Sequence, residues 1–229
     1  MEKNLTSVFL EGARALGVEL PPDSLEAFHV FMEELMRWNR KMNLTSIRDP
    51  LEIVVKHFLD SLAVVPYLSA GGSLLDVGSG AGFPSLVLKI SHPSLKVTSI
   101  DSSGKKLSFQ RHLIRQLDLK GIDTVQASLP NAQVLERLGR SFDYAISRAF
   151  GSLGALLRIA SPFIKKTGII IAMKGKMGLK EAVKGDTKRT VIALDMRLQK
   201  AVKFTLPFVD ASRTLLFFAG GESGSMDSR

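Results

Sequence analysis

The chain has 229 residues, of which 45% are hydrophobic and 23% are charged, as in a globular protein with one sizeable core. It contains no cysteine, which excludes a disulfide framework, a cysteine zinc site and a cysteine nucleophile, and we predict no metal site. Since it has no long apolar span and no charged-then-apolar leader, we expect a cytoplasmic protein without membrane contact. Its net charge of +9 favours polyanionic partners such as nucleic acid.

The first 70 residues have the periodicity of helices. Apolar side chains recur every three or four residues between Ser24 and Trp38, directly after the helix start signal Pro21-Pro22-Asp23. Two further helical runs are predicted over residues 4–16 and 51–68, and a Gly-Gly loop follows the second one. We therefore predict an N-terminal helical extension over residues 1–70.

From residue 71 onward, short apolar segments alternate with helix-length stretches. This alternation predicts an α/β fold, a mostly parallel sheet covered by helices on both faces, over residues 71–219. Because the last two apolar segments lie close together, we predict one antiparallel strand at the far edge. A disordered tail rich in Gly and Ser is expected over 220–229. The seven predicted strands cover residues 73–77, 97–100, 122–126, 143–147, 168–173, 190–198 and 213–219.

The segment from Leu74 to Pro84 predicts a buried strand that enters a helix through a glycine loop. Gly78, Gly80 and Gly82 allow the backbone to turn sharply and to approach a ligand closely. A dinucleotide fingerprint requires Gly or Ala at the position that Phe83 occupies, so the loop argues against NAD and against a dehydrogenase.

Two acidic residues refine the expected ligand. Asp76 enters the loop, where a carboxylate is unfavourable to a pyrophosphate but favourable to the cationic amino group or sulfonium of S-adenosylmethionine (SAM). Asp101 ends the next strand, a position that suits a ribose diol. These residues predict a SAM pocket, while an ordinary strand-to-helix turn capped by an aspartate remains the alternative.

Several polar residues outside the loop are candidates for contact with a substrate. Asn43 and Arg48 lie in a polar and basic stretch after the second helix, and His57 follows on the next helical run. Lys105 lies at the start of a helix, where a cation opposes the helix dipole and invites contact with a phosphate. A solvated polar surface would give the same patterns.

Three more candidates follow the predicted fourth and fifth strands. Arg148 and Phe150 come after one strand and Lys174 ends the next. In open α/β sheets, the carboxyl ends of strands line the ligand crevice. Arg148 can therefore contact a base edge or a phosphate, and Phe150 can stack on a base.

Taken together, these segments resemble the bacterial ribosomal RNA small subunit methyltransferase G family, also called glucose-inhibited division protein B. The resemblance spans roughly residues 25 to 218, and its most specific parts are Asn-Leu-Thr-Ser joined to Arg-Asp-Pro and a Ser-Arg-Ala-Phe stretch. The matching pieces are residues 38–41, 43–46, 48–50, 57–61, 76–84, 101–102 with 104–105, 147–150 and 174–175.

The resemblance implies a Rossmann-like class I methyltransferase that transfers a methyl group from SAM to N7 of a guanine in 16S rRNA. It implies that Gly78 and Phe83 contact the cofactor, that Asp101 lies at its ribose and that Arg148 borders the transfer site. Because N7 needs no deprotonation, we assign Arg148 and Lys174, as the catalytic pair, to guanine O6 or to phosphate. We expect the helical extension and the basic faces to dock RNA through its phosphates. The predicted RNA contacts are Asn43, Arg48, His57 and Lys105, together with Phe150, which would stack on a base.

One departure from the family concerns the adenine. The family usually carries Arg-x-Glu-Glu after the third strand, but Ser128, Leu129, Pro130 and Asn131 stand there in this chain. A backbone amide at Leu129, with Ser128 or Asn131 nearby, is our expected substitute. Two alternatives remain open: a SAM-dependent methyltransferase of another substrate, and a non-catalytic RNA-binding module on a degenerate fold. In either case we expect a monomer.

Overall fold

A computed structural model describes residues 3–221, excluding the side chain of Lys3. In these residues, seven strands form one sheet in the order β3-β2-β1-β4-β5-β7-β6. The strands are β1 Ser73–Val77, β2 Lys96–Asp101, β3 Ile122–Gln126, β4 Phe142–Arg148, β5 Ile164–Gly175, β6 Met196–Thr205 and β7 Ser212–Gly220.

Strand β7 runs antiparallel to both of its neighbours, β5 and β6. The pairs among the other strands, from β3 through β5, are parallel. The antiparallel strand thus belongs to the outer pair at the far edge, where β6 is outermost. The predicted fold class, a seven-stranded and mostly parallel sheet with an antiparallel strand in its edge pair, is confirmed.

The helices cover both faces of the sheet, and four of the described helices precede β1. A π-helical turn over Val54–Leu59 joins α3 to α4, and a short 3-10 turn over Val65–Tyr67 leads toward β1. No helix within residues 3–221 is long and apolar enough to cross a membrane. The helices are α1 Lys3–Ala15, α2 Ser24–Met42, α3 Pro50–Ile53, α4 Asp60–Leu62, α5 Ser85–Ser91, α6 Gly104–Gln116, α7 Ala132–Leu138, α8 Leu153–Ala160, α9 Gly178–Ala182 and α10 Gly185–Ala193.

The strand predicted over residues 190–198 is wrong, because α10 occupies the first half of this segment and β6 begins only at Met196. Thr187 and Thr190 are buried and Leu194 packs against the core, so the inward positions recur at helical spacing. Ile192, which an alternating strand would bury with Thr190, is 70% exposed. The apolar and β-branched composition of this segment therefore misled the sequence-based prediction.

The predicted tail begins too early by two residues. Gly220 is the last residue of β7, and the Gly221 N–H donates a hydrogen bond to the carbonyl of Asp195 (2.6 Å). The remaining part of the predicted tail, 222–229, lies outside the described residues.

The N-terminal helices and the sheet share one apolar core. Phe28 is fully buried, with its ring centroid 4.7 Å from that of Phe9 and 5.3 Å from that of Phe58. The same buried cluster continues into the sheet at Leu74 and Ile146. A second cluster fills the opposite face, under α7 to α10. The boundary near residue 70 thus separates two kinds of secondary structure within a continuous core, and as a domain boundary it stays a prediction.

Candidate active site

The glycine loop between β1 and α5 is held by hydrogen bonds to β2. Gly78 has a φ of 71°, in the left-handed region that favours glycine, and its N–H donates to the carbonyl of Ile100 (2.8 Å). A Cβ at Gly78 would lie only 3.0 Å from the Phe150 ring. The Gly80 N–H donates to Asp101 Oδ2 (2.8 Å). A side chain at position 78 would therefore both strain the turn and displace Phe150.

Gln110 on α6 supports the loop from below, although its position in an amphipathic helix gives no sequence signal for this role. Its side chain is fully buried, and Nε2 donates to Ser79 Oγ (2.8 Å) and to the carbonyl of Gly80 (2.7 Å). These two bonds attach the first turn of the loop to a helix of the sheet's covering layer. Gln110 is thus a loop-positioning residue that the sequence analysis missed.

A cavity of about 190 Å³ opens at the carboxyl ends of β1, β2 and β3. The structure brings five predicted residues to its wall, namely Gly78, Asp101, Ser128, Leu129 and Phe150. Phe150, predicted to contact RNA, therefore lies beside the predicted cofactor residues. Pro130 is absent from the lining, and Asn131 is engaged elsewhere, because its Oδ1 accepts from the Val134 N–H as the cap of α7.

The residues of this cavity fit the nucleoside part of SAM. Val77, Ile100, Ala127 and Phe150 give it apolar walls, which suit the faces of an adenine. Asp101 accepts one hydrogen bond at each oxygen, from Gly80 and from Ser103, and each oxygen keeps a further lone pair for a hydroxyl donor. The absence of a side chain at the loop glycines leaves room for a close approach.

Asp76 lies beneath the glycine loop with no exposed surface. Its Oδ2 accepts from the Ser85 N–H (3.1 Å), while its Oδ1 has no hydrogen-bond partner in the described part of the chain. Burial raises the pKa of Asp76 to about 7. Asp76 lines neither of the two cavities described here, and its predicted contact with a cationic ligand stays a prediction.

Phe83 packs inside the core. Its ring lies between His57, with centroids 4.4 Å apart and planes at 18°, and Phe31, with centroids 5.1 Å apart and planes at 10°. Only 5% of Phe83 is exposed. Its side chain is therefore committed to packing and its N–H donates to the carbonyl of Ser79 (3.1 Å), so the predicted cofactor contact of Phe83 stays a prediction.

A second cavity, of about 350 Å³, lies at the carboxyl ends of β4, β5 and β6 and at the amino end of β7, and its wall contains the cations Arg148, Lys174 and Arg213. The Arg148 side chain donates from Nη1 to the carbonyl of Lys56 (2.9 Å) and from Nη2 to His57 Nδ1 (2.9 Å). Its guanidinium carbon lies 5.1 Å from the Phe83 ring centroid. Arg148 is thus held by the N-terminal helices although it belongs to the sheet. The lining residues are His57, Asp60, Arg148, Ala149, Met173, Lys174, Gly175, Phe204, Arg213 and Leu215.

His57 is buried, which corrects its predicted place on an RNA-facing surface. Because a guanidinium can only donate, His57 Nδ1 accepts from Arg148, and the ring proton lies on Nε2, which contacts Thr45 Oγ1 (2.8 Å). Burial, and next the charge of Arg148, lower the pKa of His57 to about 3. His57 is therefore a neutral link that orients Arg148.

Asp60 joins Arg148 to a second arginine. Its Oδ2 lies 3.5 Å from Arg148 Nη1, and its Oδ1 accepts from Arg213 Nε (3.0 Å). Burial raises the pKa of Asp60, and the two arginines oppose this shift. Arg213 lies 153 residues away from Asp60 along the chain, so no local pattern could have predicted this pair.

Lys174 is separated from Arg148 by the sheet. Arg148 pairs in register with Met173, so Lys174, one residue further on, points to the opposite face. Its Nζ donates to the carbonyl of Gly151 (3.2 Å) and lies 3.2 Å from Glu181 Oε2. The two predicted catalytic cations thus border one cavity from different faces, and Glu181 is a partner that the sequence analysis missed.

The other predicted RNA contacts lie outside this cavity. Asn43 is exposed and caps α2 with a φ of 47°, which gives it a structural role. Arg48 is exposed at a separate depression beside Asn39, and Lys105 is exposed in the first turn of α6. Within the described residues, no group of three or more His, Asp or Glu side chains could hold a metal ion.

The comparisons with known proteins agree with this geometry. A sequence model of the family "rRNA small subunit methyltransferase G" matches residues 24–209. The chain is 38% identical over 217 residues to the ribosomal RNA small subunit methyltransferase G of Geobacter metallireducens, covering 94% of this chain and 96% of that protein. The counterpart from Acetivibrio thermocellus is 38% identical over 216 residues, covering 94% of this chain and 88% of that protein.

Solved structures support the fold. A SAM-dependent methyltransferase from Aquifex aeolicus superposes with a TM-score of 0.56 at 16% identity, covering 77% of this chain and 96% of that one. The sequence matches extend over most of the chain, from the N-terminal helices to the edge of the sheet. The chain belongs to the ribosomal RNA small subunit methyltransferase G family.

Proposed function

We propose that this protein transfers a methyl group from SAM to N7 of a guanine in 16S rRNA. Family membership supports the reaction class. The observation that carries the proposal is the direct neighbourhood of two cavities, since Arg148 borders one and Phe150, two residues later, borders the other. A nucleoside site beside an arginine-lined cavity is the arrangement that transfer to a base requires.

The cofactor residues follow from the first cavity. Gly78 and Gly80 would allow its close approach, Asp101 would accept from the ribose, and Ser128 with Leu129 would border the adenine. When bound, SAM supplies a methyl group that is already activated on a sulfonium. The protein residues then need only to position the base, because guanine N7 has a free lone pair and loses no proton.

The second cavity agrees with a reaction that needs no general base. His57 uses both ring nitrogens within the protein and keeps a pKa of about 3, so it is neutral and engaged at physiological pH. Asp60 lies between two arginines. The remaining task is orientation, which can contribute several kcal/mol to catalysis.

Arg148 is the residue that we assign to the base itself. Arginine commonly donates to O6 on the same edge of guanine that carries N7. A contact to O6 would orient the ring without placing a cation directly against the nitrogen that becomes positive. Lys174 would contact O6 or a phosphate from the other face of the sheet. The proposed partner is the small-subunit rRNA, free or in the subunit, in the cytoplasm.

The test is an incubation of the protein with methyl-labelled SAM and small ribosomal subunits that lack the modification, followed by mapping of the label. We expect label at N7 of one guanine. Label only on metabolites or proteins would replace the substrate, and absence of label despite SAM binding would reject the proposed activity. Absence of both would favour a non-catalytic binding module.

A matched pair of variants tests the cofactor site. Asp101→Asn should weaken SAM binding about tenfold, because a charged acceptor at the proposed ribose position is lost. Asp123→Asn, on exposed surface of the neighbouring strand β3, should leave SAM binding unchanged. Equal effects of the two substitutions would remove Asp101 from the proposed site. Isothermal titration calorimetry gives both dissociation constants.

A further inference from the structure

We propose that rRNA phosphates dock on the exposed side chains of residues 176–193, the segment that follows β5 and contains α9 and α10. This inference rests on the proposed function, since it assigns a docking surface to the same RNA substrate. The expectation that the N-terminal helices dock the RNA is replaced by it.

The first argument is the distribution of charge along the chain. Residues 1–72 contain 7 Lys and Arg but 10 Asp and Glu, so the helical extension is acidic. Residues 176–193 contain 5 Lys and Arg but 2 Asp and Glu. The positive net charge of the chain therefore lies entirely outside the extension, and this one short segment contributes +3 to it. An RNA backbone is attracted to the second region and repelled by the first.

The second argument is exposure. Thr187 and Thr190 turn inward, and the Thr190 hydroxyl accepts from Arg158 on α8 (2.6 Å), so α10 directs Lys188 outward. Lys180 and Lys184 are also exposed. None of these three lysines forms an ion pair with the described residues. Three cations of this segment are thus free to neutralise phosphates.

The third argument is the place of the acidic residues of this segment. Glu181 is turned inward, where it pairs with Lys174 and accepts from the Leu153 N–H (2.6 Å). Asp186 lies within 3.9 Å of Arg189, so its charge is partly compensated. The exposed side of the segment therefore keeps a clear excess of positive charge.

The fourth argument is proximity to the proposed reaction site. Lys174 and Gly175, the last residues of β5, line the cavity that contains Arg148, and the segment starts at the next residue. A strand of RNA that places a guanine in this cavity would pass over the segment or its immediate surroundings. Phosphate contacts there would position the strand without reading its sequence.

The experiment compares two triple variants with equal loss of charge. K180Q/K184Q/K188Q neutralises the proposed surface. K96Q/K120Q/K166Q neutralises three exposed lysines near the starts of β2, β3 and β5, at the amino ends of these strands and away from the proposed surface. RNA affinity is measured as a function of salt with a 16S rRNA fragment that contains the methylated guanine. Methylation kinetics and SAM affinity are measured in parallel.

We expect the first variant to bind RNA about tenfold more weakly near physiological salt, and its slope of log affinity against log salt to be smaller by about 2 to 3. Its kcat at saturating RNA and its SAM affinity should equal those of the unmodified protein. The second variant should retain the original slope within about 1. Equal behaviour of the two variants would overturn the proposed surface.

Two further outcomes separate the proposals. If the first variant loses activity on assembled subunits but binds and methylates protein-free rRNA normally, the surface binds a ribosomal protein and the RNA proposal is wrong. If the unmodified protein methylates no rRNA, the proposed function fails. The salt dependence of RNA binding still decides on the surface in that case, because it requires no turnover.

Discussion

The N-terminal helices and the α9–α10 segment contribute to this molecule in opposite ways. The first region is acidic, and its aromatic rings are buried against the sheet. It contacts the proposed reaction site from inside the protein, through the hydrogen bonds of Lys56 and His57 with Arg148. The second region is basic and exposed, and it adjoins the same cavity from outside. Two regions next to the same cavity should therefore affect different steps. The N-terminal helices should determine the turnover rate, and the α9–α10 segment should determine the affinity for RNA.

The largest expected effect concerns the burial that distinguishes the two regions. Phe28→Ala should reduce the free energy of unfolding by about 3 to 5 kcal/mol, because it leaves a cavity among packed rings. Ile192→Ala, at a side chain that is 70% exposed, should change it by about 0.5 kcal/mol or less. Urea unfolding measures both. Similar losses for the two variants would contradict the difference in burial.

The second largest expected effect concerns Arg148, the arginine that the N-terminal helices hold in place. Arg148→Ala should lower kcat about 100-fold, since a misplaced base loses the benefit of orientation, while SAM affinity stays within about twofold. Arg189→Ala, on the α9–α10 segment, should raise KM for RNA and leave kcat unchanged. Steady-state kinetics with rRNA separates the two constants. Near-normal turnover of Arg148→Ala would refute its assigned role.

The pH dependence of the free energy of unfolding tests whether His57 is neutral in the folded protein. The pKa of His57 is about 3 in the folded state and about 6.5 in the unfolded chain. Below pH 6.5, the unfolded chain therefore binds a proton that the folded protein does not bind. Stability from this group is complete above pH 6.5 and falls with acidification. Between pH 7 and pH 5, the unfolding free energy of the unmodified protein should fall by about 2 kcal/mol relative to His57→Gln.

Using the difference between the two proteins removes the contributions of other titrating groups that both share, such as Asp76 and Asp60. Their raised pKa values act in the opposite direction, because the folded protein binds those protons more tightly than the unfolded chain does. Chemical unfolding at the two pH values gives the comparison. A constant difference between the proteins would mean that His57 is protonated in the folded state.

The smallest expected effect concerns Thr45, the hydrogen-bond partner of His57. Thr45→Val removes the hydroxyl that meets His57 Nε2 and leaves a buried N–H unpaired, so Arg148 is held less firmly. We expect kcat to fall about tenfold with KM for RNA unchanged. Thr45→Ser retains the hydroxyl and should restore most of the rate. Equal kinetics for the two variants would leave Thr45 with a packing role only.

The sequence predicts those parts of the fold that depend on local patterns. The glycine loop, Asp101 and the strands from β1 to β5 are predicted from short stretches of sequence, because neighbouring residues alone determine these features. The segment around Ile192 does not, because its β-branched residues suit a strand while its inward positions have helical spacing. The packing of α10 against α8 and its other neighbours decides between the two.

The candidate site is predictable to a smaller extent. Arg148 follows from its place at a strand end, but its partners come from a distant part of the chain, so their number and geometry have no local signal. His57 shows the cost of this limit: its polarity suggests exposure, whereas two hydrogen bonds allow it to be buried as a neutral ring. Gln110 and Arg213 could not be found at all from the sequence alone.

The contact between the Arg148 guanidinium and the carbonyl of Lys56 has a consequence for the modularity of the protein. That carbonyl belongs to the π-helical turn, so a backbone irregularity of the extension holds the arginine that lines the proposed site of the base. The sheet with its glycine loop is therefore not a transplantable catalytic unit. A shortened chain that begins at β1 could retain the nucleoside cavity, yet it would lack the groups that aim its arginine, and any minimal version of this enzyme has to include the turn.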